Sequence, residues 1–257
     1  MSPPAARSAR GRGLTGPHVA VIERHGKFTV AEPFFGPGPR LAISRDKRAS
    51  VGDLVVVRQE PGRGNRGGGR AVVARRVGRP DVARDVIEAL MLDRGLRRTF
   101  DPAVAYEARS AAARDAAGDP GRRDLRELPT FTIDPASARD FDDAISASVQ
   151  ADGSWRIWVH IADVAAHVDP RSLVDREAYR RSTSVYVPGA VEPMLPEALS
   201  NRACSLVPDE DRATVTVEMV LTGDRVTSSA FYRSVIRSDE RLDYDRVDRI
   251  FAGRERA

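Results

Sequence analysis

The first third of the chain consists of short apolar runs separated by turn-forming residues. Glycine and proline fill the gaps between the runs, most densely from Gly36 to Pro39 and from Gly62 to Gly69. Runs of strand length that end at such residues predict β-strands joined by turns. The five predicted strands are residues 19–23, 27–31, 40–43, 53–58 and 70–75.

Apolar positions recur at helical spacing after the last of these strands. Asp81 is a candidate cap for a helix over residues 83–92, and a second helix is predicted over residues 102–116. We interpret residues 79–127 as a helical connector between the strand-rich segment 17–78 and the rest of the chain.

Strands and helices alternate from residue 128 to residue 257. Residues 155–161 show the two-residue alternation of a strand with one buried face. The whole pattern predicts an α+β protein in which a small β-barrel and a helical connector precede a mixed α+β region. The other predicted elements are strands at 131–133, 144–147, 214–221 and 228–236 and helices at 171–180 and from Asp243 onward.

Basic residues are concentrated at the N-terminal end. Residues 1–80 hold 16 Lys and Arg against 5 Asp and Glu, whereas the remaining residues hold 25 against 32. A basic module joined to an acidic one is typical of polyanion binding by the basic part. Residues 1–16, which are rich in proline, alanine and glycine, are predicted to be a disordered basic tail.

Aromatic residues interrupt the basic segment. Small barrels of the OB type bind single-stranded nucleic acid by combining a positive groove with aromatic platforms. Phe34 and Phe35 follow a predicted strand and are candidates for stacking on bases. Phe28 lies inside a predicted strand, where a place in the barrel core is an equally good explanation.

The composition narrows the class of protein. The longest apolar runs, such as Asp53 to Arg58, have the length of a strand and are too short to span a membrane. No apolar segment follows the basic N-terminus, so we expect no secretory signal and no membrane partner. The single cysteine, Cys204, has no intrachain disulfide partner, as is usual in the reducing cytoplasm.

Four aspartates, Asp134, Asp140, Asp142 and Asp143, lie within ten residues in a stretch that is otherwise mostly apolar. Clustered carboxylates repel one another unless a cation lies among them. Carboxylate oxygens are the ligands that Mg²⁺ and Mn²⁺ prefer, and the flanking predicted strands would hold such a site on a rigid base. A solvated acidic turn is the alternative explanation of the same residues.

The segment from Leu128 to Ile145 resembles the signature of the ribonuclease II/ribonuclease R family, whose catalytic domain is called RNB. The resemblance implies that residues 128–257 form the N-terminal part of an RNB domain, preceded by one OB or cold-shock-like barrel at 17–78. Further blocks continue it in the same order: Val159–Val164, Thr183–Pro188, Pro193–Ser200, Cys204–Leu206, Phe231–Ile236 and Arg241–Tyr244.

The resemblance implies a magnesium-dependent 3′→5′ exoribonuclease that hydrolyses single-stranded RNA to nucleoside 5′-monophosphates, with Mn²⁺ as an alternative ion. By position in the family motif, Asp134, Asp140 and Asp143 are the expected metal ligands, and Asp142 and Asp140 are the expected catalytic residues.

The resemblance also indicates two residues that would contact RNA. Tyr186 corresponds to an aromatic residue that stacks near the 3′ end of the strand, with a buried core tyrosine as the alternative. Arg139, beside the aspartates, would contact a phosphate or pair with an aspartate, and the pair is the favoured expectation.

The sequence departs from the family pattern on both sides of the signature. Relatives usually continue well past the position of residue 257, and many have two cold-shock barrels where residues 17–78 provide one. We therefore expect this chain to be an incomplete form of the enzyme with little or no activity alone. A non-catalytic RNA-binding or regulatory protein on the same scaffold is the alternative function, and a DNA-directed nuclease is a weaker third one. The sequence does not indicate protein partners.

Overall fold

The computed structural model describes residues 18–43, 46, 48–59, 70–96 and 99–256. The predicted tail at 1–16 and the glycine-rich loop from Gly62 to Gly69 lie outside these residues. The chain divides into two compact units, residues 1–98 with 186–192 and residues 99–185 with 193–257. Within the described part, no helix is long and apolar enough to cross a membrane. The predicted α+β class is confirmed.

The first unit is built on a closed five-stranded barrel. Its strands are β1 (His18–His25), β2 (Phe28–Pro33), β3 (Leu41–Ile43), β4 (Leu54–Gln59) and β5 (Arg70–Gly78). They follow the order β1-β2-β3-β5-β4, with β3 parallel to β5 and every other pair antiparallel. This closed arrangement of five short strands is the OB-type barrel that the sequence predicts. Its interior is filled by Ala20, Ile22, Ala31, Leu41, Val55, Val57, Ala71 and Val73.

Helix α1 (Ala83–Asp93) packs on the outside of this barrel and buries Ala89 in a second small core. The predicted cap is wrong, because Val82 occupies the N-cap position and makes no side-chain hydrogen bond. Asp81 instead pairs with Arg79 at 3.0 Å. The two helices of the predicted connector 79–127 fall in different units, α1 with the barrel and the next helix with the sheet.

The second unit contains a seven-stranded mixed sheet. Its strands follow the order β14-β7-β8-β9-β12-β13-β6, where only the outermost pairs, β14 with β7 and β13 with β6, are parallel. The bounds of these strands are β6 (Arg123–Asp124), β7 (Phe131–Asp134), β8 (Asp143–Val149), β9 (Trp155–Ala162), β12 (Asp211–Thr222), β13 (Arg225–Arg237) and β14 (Glu240–Asp243). The strands β10 (Val185–Val187) and β11 (Ala190–Glu192) form a separate two-stranded ribbon, and residues 186–192 of it belong to the first unit.

Three α-helices accompany the sheet: α2 (Pro102–Ala112), α3 (Leu173–Arg181) and α4 (Tyr244–Phe251). Each begins at a side-chain cap, because Asp101, Ser172 and Asp243 accept hydrogen bonds from backbone N–H groups of the first turn. A π-helical turn, Leu199–Ala203, lies between β11 and β12. Helix α2 ends earlier than predicted, at residue 112 rather than 116.

The two faces of the sheet differ in what covers them. Ala144, Trp158 and Ile236 on the inner face are buried in the main core, which also contains residues of α2 and α3. The opposite face, which we call the outer face, is apolar but exposed: Phe231 is 72% exposed and Val149 60%. Register places neighbouring apolar residues in rows across it: Ile145–Val159–Val217–Phe231 in one row and Val149–Trp155–Leu221 in another.

A chain of polar side chains crosses the buried inner face of the sheet. The Ser146 hydroxyl lies 2.7 Å from that of Thr130 and 3.0 Å from Nε2 of His160. Nδ1 of His160 lies 2.8 Å from the Thr216 hydroxyl, which lies 2.5 Å from that of Ser234. All five residues are at most 1% exposed, so hydrogen bonds between them offset the cost of burying polar groups.

The burial of His160 predicts an acid-sensitive fold. Burial lowers the pKa of His160 from 6.5 to about 4. As the pH falls through this window, the unfolded chain takes up a proton that the folded protein does not, so stability is lost from 6.5 downward. A shift of this size corresponds to about 3 kcal/mol of unfolding free energy.

Urea denaturation at several pH values tests this prediction. The His160→Gln variant is expected to be less stable than wild type near neutral pH and to lose the His160 part of the pH dependence. The exposed His25 supplies a matched His25→Gln control, which should retain the wild-type dependence. An unchanged pH dependence in His160→Gln would contradict the prediction.

Candidate active site

The four aspartates lie at one edge of the sheet because of how β7 and β8 pair. Strand β7 ends at Asp134 and β8 begins at Asp143, and these antiparallel neighbours are joined by the loop that carries Asp140 and Asp142. A hairpin connection returns the chain to the edge that it left, so residues at both ends of the loop meet there. The structure therefore brings together all four residues that the sequence singled out.

The loop is held by a buried phenylalanine between its two aspartates. Phe141 is 5% exposed and belongs to the main core. Its backbone N–H donates to the Ser205 hydroxyl at 3.1 Å, and that hydroxyl donates to the carbonyl of Arg139 at 3.0 Å. The carbonyl of Phe141 accepts from the N–H of Leu206 at 2.9 Å. These bonds fix the backbone from which the carboxylates on either side project.

The carboxylates of the cluster repel one another, and this repulsion affects the pKa of Asp142. Burial raises the pKa of Asp142, and the charges of Asp140, Asp143 and Asp134 raise it further. Asp142 is nevertheless exposed as a residue, so solvent moderates this repulsion. Carboxylates that raise one another's pKa favour the uptake of a proton or the binding of a cation.

Asp134 is half-buried, whereas Asp142 and Asp143 are exposed. Burial raises the pKa of Asp134, the Thr132 hydroxyl lowers it, and the charges of Asp143 and Asp140 raise it again. The Oδ2 atom of Asp134 is buried without a hydrogen-bond partner among the described residues, and the Thr132 hydroxyl, although near, makes no bond of normal geometry. A buried carboxylate oxygen that lacks a donor fits a hard cation as its partner.

The cluster is open and does not form a closed cage of ligands. Among the described residues, the one group with three ligand atoms within 4.8 Å of one another is Glu23, His25 and Glu32 on the barrel, where Arg40 already pairs with Glu32. The four aspartates fit Mg²⁺ in its usual mode, in which a few carboxylates bind and waters and substrate phosphates complete the shell.

Arg241 is a site residue that the sequence analysis did not identify. Its guanidinium lies 5.0 Å from the ring centre of Phe141 and donates to the carbonyls of Pro135 and Ala136 at 3.0 and 2.7 Å. Its charge also lowers the pKa of Asp134. The signal available in the sequence was its place in the family block Arg241–Tyr244, but only the parallel pairing of β14 with β7 brings it to the loop.

Two other residues near the signature have roles that differ from expectation or were not assigned. Arg139 is exposed, and its backbone N–H donates to the Asp140 carboxylate at 3.4 Å, while the favoured side-chain pair with an aspartate stays a prediction. Asp163 forms a buried ion pair with Arg122 at 2.7 Å. Asp163 and the hydrogen-bonded His160 are therefore buried structural residues of the sheet and do not reach solvent at the aspartate cluster.

The aromatic candidates are distributed differently from the prediction. Phe34 and Phe35 are half-buried, pack edge to face with ring centres 4.8 Å apart, and lie against the small core beneath α1. Phe28 is 72% exposed and therefore does not belong to the barrel core. Tyr186 in β10 is 61% exposed, which excludes the buried-core alternative. The RNA contacts assigned to these residues stay predictions.

Comparison with known proteins identifies the class of this arrangement. A family model, the RNB domain, matches residues 122–257. Ribonuclease R of Vibrio parahaemolyticus is 49% identical over 136 residues, which are 52% of this chain and 16% of that protein. The chain belongs to the RNB domain family.

Solved structures support the same fold. Mycoplasma genitalium RNase R in complex with double-stranded RNA superposes with a TM-score of 0.81 at 26% identity, over 98% of this chain and 45% of that one. Yeast Ssd1, a pseudonuclease, superposes with a TM-score of 0.67 at 17% identity, over 95% of this chain and 32% of that one. The chain thus spans less than half of these relatives, and the fold alone does not separate a nuclease from a pseudonuclease.

Removal of one charge from the cluster should stabilise the metal-free protein. Because the pKa of Asp142 is raised, its ionised form destabilises the fold at pH values above that pKa. We expect Asp142→Asn to raise the unfolding free energy at neutral pH by a few tenths to about 1 kcal/mol, since the group is partly solvated. The gain should vanish below the ordinary pKa of 3.8, where the carboxyl is protonated in both states.

Denaturation in the presence of a chelator measures this difference, and Asp152→Asn is the matched control. Hydrogen bonds from Ser154 lower the pKa of Asp152, so its replacement should destabilise the protein at neutral pH. A destabilised Asp142→Asn protein would show that the cluster is not under electrostatic strain.

Proposed function

We propose that this chain provides the carboxylate half of the active site of a magnesium-dependent 3′→5′ exoribonuclease that hydrolyses single-stranded RNA to nucleoside 5′-monophosphates. The observation that carries the proposal is the set of four interacting carboxylates at the sheet edge, in the positions of the RNB signature. The name of the relative from Vibrio parahaemolyticus, ribonuclease R, supports the reaction class.

Each aspartate has a proposed role. Asp134, Asp140 and Asp143 would hold Mg²⁺, or Mn²⁺ in its place, and Asp134 offers a buried oxygen without a donor. The bound ion supplies neutralisation of phosphate charge and polarisation of the scissile bond. Asp142, whose pKa is raised, is suited to take up a proton during hydrolysis, with Asp140 beside it. The exposed guanidinium of Arg139 would contact a phosphate of the strand.

RNA binding is proposed for the first unit. The barrel at 17–78 lies in the basic part of the chain and has the fold that binds single strands in other proteins. Phe28 is the exposed ring on the barrel, and Tyr186 is exposed on the β10–β11 ribbon. After the barrel, we propose that residues 79–127 form a helical connector and that residues 128–257 form the N-terminal part of the RNB catalytic domain. Cytoplasmic location stays a prediction from composition.

We further propose that additional polypeptide completes the catalytic domain. The outer face of the sheet is apolar over several strands, and Phe231, Trp155 and Val149 on it are 72%, 49% and 60% exposed. An exposed patch of this kind marks an interaction surface. The chain covers 45% of the Mycoplasma genitalium RNase R chain. We propose that polypeptide equivalent to the unmatched part of that relative covers the outer face.

The alternative function is RNA binding without cleavage. The fold shared with the pseudonuclease Ssd1 is compatible with either function, whereas the presence of all four aspartates favours the nuclease. A DNA-directed nuclease would use the same carboxylates, and only contacts to the 2′-hydroxyl would discriminate against it.

Degradation of a 5′-labelled single-stranded RNA tests the proposal. The protein translated from the open reading frame up to its stop codon, called the longer protein below, should give a 3′→5′ ladder with Mg²⁺ and none with a chelator. Residues 1–257 alone should give little or none. Asp142→Asn in the longer protein should lower the rate by at least about a hundredfold, the usual scale for loss of a proton-transfer group.

The controls in this assay separate the alternatives. Asp152→Asn, outside the cluster, should retain the wild-type rate, and a DNA strand of the same sequence should survive. Binding of RNA without any ladder in the longer protein would favour the non-catalytic alternative. Full activity of residues 1–257 alone would contradict the proposed incompleteness.

A further inference from the structure

A cavity of about 560 Å³ lies in the second unit between the end of α2 and the π-helical turn. It is lined by residues of these two elements and of the segment before β12, and the four aspartates are not among them. Its volume falls in the range of small-molecule sites. The RNB signature and the proposed catalytic site make no use of it.

The charge of this cavity is unbalanced toward positive. Arg109, Arg202 and Arg212 face one acidic residue, Glu210, which pairs with Arg212 at 2.7 Å. Arg109 and Arg202 are exposed and make no ion pair within the described ranges, and the guanidinium carbon of Arg109 lies 6.0 Å from the ring centre of Tyr106. Two guanidinium groups are thus available for an anion, for which planar arginine is well suited.

Arg212 forms a rigid wall of the cavity. It is largely buried, with its side chain 13% exposed. Its Nε donates to the carbonyl of Ser205 at 2.7 Å, and its Nη2 donates to the carbonyl of Arg202 at 3.1 Å. These bonds tie the start of β12 to the π-helical turn and to the segment that follows it.

The rest of the lining offers an apolar surface and one amide. Asn201 accepts a hydrogen bond from the Ser200 hydroxyl at 2.8 Å through Oδ1, which leaves its NH₂ group as a donor at the cavity. Asn201 and Arg202 project from a π-helical turn, a rare conformation that is frequent at functional sites. The other lining residues have small apolar side chains: Ala112, Ala113, Ala198, Ala203 and Val207.

We infer that this cavity binds a nucleoside 5′-monophosphate. The guanidinium groups of Arg109 and Arg202 take the phosphate, the small apolar side chains of the lining accommodate the base, and the NH₂ group of Asn201 donates to an acceptor on the base edge. The inference stands apart from the proposed RNA cleavage, because binding requires neither RNA nor metal.

Calorimetric titration of the chain with adenosine 5′-monophosphate tests the inference, with a chelator present to keep metal-bound nucleotide away from the aspartates. Wild type is expected to bind the nucleotide, and adenosine without phosphate should bind at least about tenfold more weakly. The double variant Arg109→Ala/Arg202→Ala should lose about tenfold or more in affinity for the nucleotide. Thermal melting checks that it is folded.

The matched control is Arg225→Ala/Arg254→Ala, which removes two exposed arginines outside the cavity. It should bind the nucleotide as wild type does. Equal losses in the two double variants would show non-specific charge attraction and overturn the inference. Absence of nucleotide binding by wild type, equal binding of adenosine, or binding of an RNA oligomer alone would also overturn it.

Discussion

Repulsion among four aspartates at one sheet edge is opposed by the packing of the loop and the two strands that carry them. Asp142 and Asp134 both have raised pKa values in this surrounding. The buried ring of Phe141 and the hydrogen bonds of Ser205 keep the backbone in place even though its charges repel. A site that holds like charges together without neutralising them is poised to bind a cation, and this preorganisation is what catalysis on phosphates requires.

The rigidity of this edge comes from the sheet behind it. The polar chain through Ser146, His160 and Thr216 joins β8, β9 and β12 across the buried face. The buried Arg122–Asp163 pair lies beside it, because Arg122 also donates to the carbonyls of Thr214 and Ser234. Buried polar groups that are satisfied specify one arrangement of strands more tightly than apolar packing alone. On the outer face of the same sheet, by contrast, apolar side chains such as Phe231 and Val149 are exposed.

Local patterns predicted much of the fold and of the candidate site. The alternation in β9, the five barrel strands and the aspartate motif are encoded within short segments, where turn chemistry and periodicity act directly. Arg241 reaches the loop only because β14 pairs with β7, and Phe34 and Phe35 are half-buried because α1 packs over them. Such contacts depend on tertiary packing, which short sequence patterns do not contain. At Asp81 a competing local contact decides, because its carboxylate pairs with Arg79 and does not cap the helix.

The central claim is that the aspartate cluster is the cation site of this chain, and titration with Mn²⁺ tests it most directly. Paramagnetic resonance of free Mn²⁺ reports binding without any need for activity. The account predicts that wild type binds the ion, that Asp134→Asn weakens binding by at least about tenfold, and that Glu32→Gln, in the other ligand group, leaves it unchanged. Binding that survives Asp134→Asn and is lost in Glu32→Gln would place the cation on the barrel and contradict the account.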